Sequence, residues 1–96
     1  MGKYTLSPRA EDDLREIWRS IAYDNERAAD NLLRRFLEKF ALAAWHVEMG
    51  PRRPELSPTA RILIEGRYVA VYEPRPHGIL VVTIVHGSRE IGTWLS

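Results

Sequence analysis

Apolar positions recur along this chain in two rhythms, and the change from one to the other falls near residue 50. In the first half, Ala10, Leu14, Ile17, Trp18 and Ile21 are spaced by four, three, one and three residues, which lines one face of a helix. Ser7 and Pro8 supply an N-cap and a first helical residue, and Glu11, Asp12 and Asp13 fall in or just beyond the first turn, where carboxylates meet the positive end of the helix dipole. This helix is expected to end near Ala22 or Tyr23. Asp24 and Asn25 provide a turn and a second cap, after which Ala29, Leu32, Leu33, Phe36, Phe40, Ala43, Ala44 and Val47 repeat at helical spacing until Gly50-Pro51. Helices joined by so short a link form an antiparallel hairpin, with Arg34, Arg35, Glu38 and Lys39 on its outer face.

In the second half the period shortens to two. Ala60 to Glu65, Arg67 to Glu73 and Ile79 to His86 are rich in Val, Ile and Tyr and predict three strands; Lys3 to Leu6 predicts a short one at the start. Gly66 marks a tight turn, Pro74 to Gly78 a longer one, and Arg52 to Thr59 an irregular connector. Residues 79 to 86 are apolar on both faces, as in a central strand, whereas Tyr68, Ala70 and Tyr72 alternate with Val69, Val71 and Glu73. The fold expected is α+β, in the order β-α-α-β-β-β, with a helical hairpin on one face of a mostly antiparallel sheet and the other face open or partner-covered.

Ninety-six residues suit one domain, 1–96, with a modest core. A net charge of +1 argues against a general nucleic-acid binder, and the halves differ little: 8 Lys+Arg against 9 Asp+Glu in residues 1 to 50 (−1), and 6 against 4 in 51 to 96 (+2). Any basic surface is therefore local. Twelve Arg against two Lys reads as coding bias or as a set of phosphate-matching forks. With no cysteine there is neither disulfide nor thiolate, which suits a reducing compartment. Met1 is followed by polar residues, and no apolar run approaches the ~20 residues of a membrane span, so a cytoplasmic protein without membrane contact is expected. His46, His77 and His86 show no ligand spacing, so neither metal nor cofactor is expected.

Five segments, taken in order, carry a resemblance. They are Tyr4-Thr5-Leu6-Ser7-Pro8-Arg9-Ala10-Glu11-Asp12-Asp13-Leu14, Ile17-Trp18-Arg19-Ser20-Ile21-Ala22, Arg53-Pro54-Glu55-Leu56, Tyr68-Val69-Ala70-Val71-Tyr72 and Val85-His86-Gly87-Ser88-Arg89-Glu90. No single piece is specific, but their order over almost the whole chain resembles the ParE branch of the ParE/RelE toxin superfamily. The resemblance implies a RelE/ParE-like fold and a toxin of a type II toxin–antitoxin pair. Such a toxin inhibits DNA gyrase and is held inactive by a ParD-like antitoxin, meeting nucleic acid only through gyrase or the antitoxin–operator complex. RelE-branch relatives instead cut mRNA on the ribosome, and fold alone does not choose between the two.

Cleaving RNA requires groups that activate the 2′-hydroxyl, neutralise the phosphate and protonate the leaving oxygen. The candidates are Arg61, His86 and Arg89, with Tyr68 or Tyr72 in reserve. Lys3 and Lys39 both lie in the first half, and the tail Ile91 to Ser96 has no tyrosine, so a ribosome-dependent endoribonuclease is the second choice and no catalytic residue is assigned. For target binding the expected residues are Arg53, Arg61, His86, Arg89 and Trp94; for antitoxin binding, Leu14, Trp18, Phe36 and Phe40. Blander readings stand beside these: His86 bonding the turn after its strand, Arg89 pairing with Glu90 or Glu73, Trp18 in the core, and Trp94 packed back on the sheet. A third reading is a family member without toxicity, kept as a binding module in the antitoxin's repressor complex.

Overall fold

Ser7 joins the two rhythms in space. Its backbone N–H continues the strand ladder to the Val81 carbonyl, its hydroxyl accepts from the Ala10 N–H at 3.0 Å as a helix cap, and the same hydroxyl donates to the Val82 carbonyl at 2.6 Å. The computed structural model describes residues 2–87. In order, the elements are β1 (Lys3–Leu6), α1 (Pro8–Ala22), α2 (Glu26–Trp45), β2 (Arg61–Glu65), β3 (Tyr68–Arg75) and β4 (Gly78–His86). The strands lie in the order β1-β4-β3-β2, with β1 parallel to β4 and the other pairs antiparallel. The β-α-α-β-β-β order and the central place of β4 are as expected.

Both helix caps follow the sequence reading: Asn25 accepts from the Ala28 N–H at 3.0 Å, as Ser7 does from Ala10. α2 stops at Trp45, short of Val47, and residues 46–50 form turns. The β3–β4 connection is also tighter than expected, because Pro74 and Arg75 pair with Ile79 and Gly78 and leave only Pro76 and His77 outside the strands. Gly78 makes this possible: at φ 149° it lies so close to β1 that a Cβ would overlap the Lys3 carbonyl.

The main core lies between helices and sheet, from Ala10, Leu14, Leu32, Phe36, Phe40, Ala43 and Ala44 to Leu63, Ala70, Tyr72, Ile79, Val81 and Ile84. The opposite face is less open than expected. Ala60, Ile62, Val69 and Val71 form a second buried cluster there, covered by Leu56 of the connector and by Val85. The Arg52–Arg61 bridge and the bonds from Ile62 N–H to Pro51 O and from Arg53 N–H to Ala60 O bring the connector against β2.

The register of β3 and β4 breaks between Val71, opposite Thr83, and Tyr72, opposite Val81, leaving Val82 as the extra residue of a bulge. Just past it Asp13 of α1 acts as acceptor: its Oδ2 takes the Thr83 hydroxyl at 2.6 Å and the Ile84 N–H at 3.0 Å. Asp13 is therefore more than a dipole charge, since it closes the β4 edge where β1 has ended. Replacing it with Ala orphans a buried hydroxyl and a strand N–H, and the expected loss is about 1–3 kcal/mol. Thermal unfolding and selective loss of hydrogen-exchange protection at Ile84 check this. Asp12→Ala, which breaks only an exposed pair with Arg15, should cost no more than about 0.5 kcal/mol.

Candidate functional site

An apolar groove of about 380 Å³ opens beside α1, lined by Leu6, Glu11, Leu14, Arg15, Trp18 and Leu33. Trp18 is half-buried, and its indole N–H donates to Asp30 Oδ1 of α2 at 2.8 Å, fixing the ring across the helical hairpin. The four residues expected to meet the antitoxin separate here. Leu14 and Trp18 line the groove, whereas Phe36 and Phe40 are 1% and 0% exposed, 5.8 Å apart between their ring centroids, against Tyr68 and Tyr4. These two phenylalanines anchor α2 to the sheet and offer no surface to a partner. In the sequence they share one helical stripe with Leu33, and only the position of the sheet separates core from groove.

Among the described residues, Arg52, Arg53 and Arg61 each bond a nearby partner. Arg61 donates from Nη1 to the carbonyls of Glu48 and Gly50, at 3.1 and 2.8 Å, so it holds the segment after α2. Tyr72, fully buried, works beside it by donating to Val47 O at 2.8 Å and accepting from Gly50 N–H at 3.0 Å. Burial pushes the Tyr72 hydroxyl pKa up, against the opposing effects of the Gly50 bond and the Arg61 charge. Arg53 pairs with Glu55 at 2.6 Å, and Arg52 donates to Pro58 O at 3.3 Å.

His86 stands at the far end of β4, opposite Tyr68, with the two rings edge-on at 5.3 Å. Arg61 is opposite Tyr72, four residues along β2 from the Glu65–Tyr68–His86 row and two strands away. At strand spacings that is about 13 Å along and about 10 Å across. Arg61 and His86 therefore do not share a site, and the nuclease set is not assembled from them. Arg89 and Trp94 lie outside the described residues. Among the described residues no His/Cys/Asp/Glu cluster is placed to hold a metal ion.

A feature the sequence reading missed surrounds the β2–β3 hairpin. Glu65, at the end of β2, accepts from Arg35 Nε at 2.9 Å and Lys39 Nζ at 3.1 Å, and Lys39 also donates to the Ile64 carbonyl at 2.6 Å. Burial works to raise the Glu65 pKa, but the bonds and charges of Lys39 and Arg35 outweigh it and hold the carboxyl below its ordinary value. Beside this clamp a cleft of about 430 Å³ is lined by Ile64, Gly66, Arg67, Tyr68, Val69, His86 and Gly87. The spacing of Arg35 and Lys39, on one side of α2, was the only hint in the sequence.

A helical hairpin on a four-stranded mixed sheet, with a half-buried tryptophan fixed in a groove, defines a small α+β protein of the RelE/ParE-like fold. Residues 4–91 match the family described as "ParE toxin of type II toxin-antitoxin system, parDE", and the chain belongs to it: it is the toxin component of a type II toxin–antitoxin system. A solved structure from the "Chromosomal ParDE TA system from P. aeruginosa" has the same fold, with a TM-score of 0.72 at 18% identity over 90% of this chain and 96% of that one. No curated protein sequence matches the chain. Among the described residues no helix is long and apolar enough to cross a membrane.

The clamp predicts an acid response. A carboxyl with a lowered folded pKa contributes stability above its unfolded value, about 4.3, and loses that contribution as pH falls through the folded value. Urea unfolding followed from pH 7 to pH 3 should show a steeper stability loss below about pH 4.3 in the wild type than in Glu65→Gln, which cannot titrate.

Proposed function

We propose that this toxin acts by binding DNA gyrase and blocking a step of its cycle, without making or breaking a covalent bond, and that a ParD-like antitoxin neutralises it. The family match over residues 4–91 carries this reading. Geometry removes one member of the nuclease alternative: such a site needs acid–base groups and a phosphate-binding cation within hydrogen-bond reach of one substrate, and Arg61 is committed to two carbonyls far from His86. Both partners would be met in the cytoplasm, and nucleic acid only through gyrase or the antitoxin–operator complex.

The antitoxin segment is assigned to the groove beside α1. Leu6, Leu14 and Leu33 give it an apolar floor, Trp18 a rigid wall, and Glu11 and Arg15 a polar rim. This suits an amphipathic helix laid apolar face down. Trp18 has the character of an interface anchor, because the Asp30 bond fixes the ring before a partner arrives. Arg53, paired with the exposed Glu55 in the connector, fits a peripheral contact to the target.

Two measurements test the reading. Purified toxin in excess should inhibit gyrase supercoiling, with relief by antitoxin; full supercoiling and no accumulated cleaved complex would count against it. Primer extension on translated mRNA should show no codon-positioned cuts, and cuts abolished by His86→Ala would establish the ribonuclease instead. Trp18→Ala should weaken antitoxin binding by at least about tenfold, or about 1.4 kcal/mol, while leaving gyrase inhibition intact.

A further inference from the structure

The β2–β3 hairpin is held more firmly than a two-residue turn requires. Gly66, at φ 58°, and Arg67 form the turn; Gly at the first central position matches the strand twist. Around it, Lys39 fixes the Ile64 carbonyl, Arg35 and Lys39 fix the Glu65 carboxylate, and the Gly87 N–H fixes the Arg67 carbonyl at 2.6 Å. What these ties hold out to solvent is chemically mixed. Ile64 is 58% exposed, although Ile62 on the same face is buried beneath the connector. Arg67 is exposed, and among the described residues its guanidinium is in no ion pair.

The local charge is one-sided. Among the described residues, Arg35, Lys39 and Arg67 give +3 against −1 from Glu65, leaving +2 at the hairpin, beside a cleft of about 430 Å³ and an aliphatic knob that projects from the face opposite Glu65. We infer that the hairpin tip, through Ile64 and Arg67, is the surface by which the toxin grips its target, and that the target presents an acidic protein surface with an apolar pocket for Ile64. This deepens the proposed function and rests on its reading of the chain as a protein-binding poison. A protein surface fits better than nucleic acid, since one exposed aliphatic and few cations on a chain of net charge +1 supply little phosphate affinity. Holding the hairpin before contact removes an ordering cost from binding.

The test compares the wild type with Ile64→Thr, Arg67→Glu, the double variant and Arg67→Lys. Readouts are growth arrest on induced expression, gyrase inhibition, antitoxin affinity and melting temperature. Thr keeps a β-branched strand residue at an exposed site, so the variants should melt like the wild type and bind antitoxin within about twofold. Each of the first two should lose at least tenfold in potency, the double variant should not arrest growth, and Arg67→Lys should recover most activity. A folded double variant that arrests growth like the wild type overturns the inference. So does loss confined to Arg67→Glu together with salt-sensitive binding of the wild type to DNA alone, which would make the tip a nucleic-acid contact. If the wild type arrests growth without inhibiting gyrase and the double variant does not arrest it, the tip stands and the gyrase reading falls. A wild type that does neither overturns both.

Discussion

The arrangement depends on how β4 is finished once β1 runs out. β1 pairs only with Gly78 to Val81, so a nine-residue central strand has a partner on that side for less than half its length. Unpaired N–H groups in a buried strand are costly. The bulge at Val82 turns the ladder, Ser7 takes the bulged carbonyl, and Asp13 takes the next exposed donors. The side chains that do this come from one stretch of seven residues, Ser7 to Asp13, the cap and first turns of α1. The direction of α1 over the sheet is thereby set, and with it the place of the Leu14–Trp18 groove.

Where the helical hairpin ends after α2, it is fixed by polar groups reaching out from the sheet. Tyr72 and Arg61 bind the carbonyls and the amide of residues 47–50, where α2 has ended and backbone groups need partners. Arg35 and Lys39 extend from α2 to the opposite end of β2. Two of the twelve arginines, Arg35 and Arg61, thus serve as joints between the helical hairpin and the sheet. Thirteen acidic residues offset the fourteen basic ones, so the overall charge is near zero, and a count of basic residues is a poor guide to where a partner binds.

The elements were legible in the sequence wherever a cap or a turn residue marked them: Ser7, Asn25 and Gly66 each sit where the local chemistry requires. Periodicity also identified the core face of both helices. It failed where one stripe serves two purposes. Phe36, Phe40 and Leu33 have the same helical spacing, yet the first two meet the sheet and the third borders the groove, and that depends on where β1 lies. Asp13 and Glu65 were invisible as joints for a related reason, because their partners are 70 and 26 to 30 residues away along the chain. The Val82 bulge leaves no mark in an unbroken apolar run.

The two surfaces lie far apart on the molecule. The groove adjoins β1 and the tip belongs to β2, and the order β1-β4-β3-β2 puts three strand spacings, about 14 Å, between them. An antitoxin segment confined to the groove would leave Ile64 and Arg67 in solvent. Neutralisation on these terms needs either a segment that continues for about five further extended residues across the sheet, at about 3.3 Å each, or an antitoxin whose bulk keeps a large target from reaching the hairpin. The first mechanism makes the toxin's tip inaccessible within the complex, whereas the second leaves the tip open to a small probe but closed to a large target. The second agrees with a tip whose variants keep their antitoxin affinity, since a segment that contacted Ile64 and Arg67 would lose binding with them.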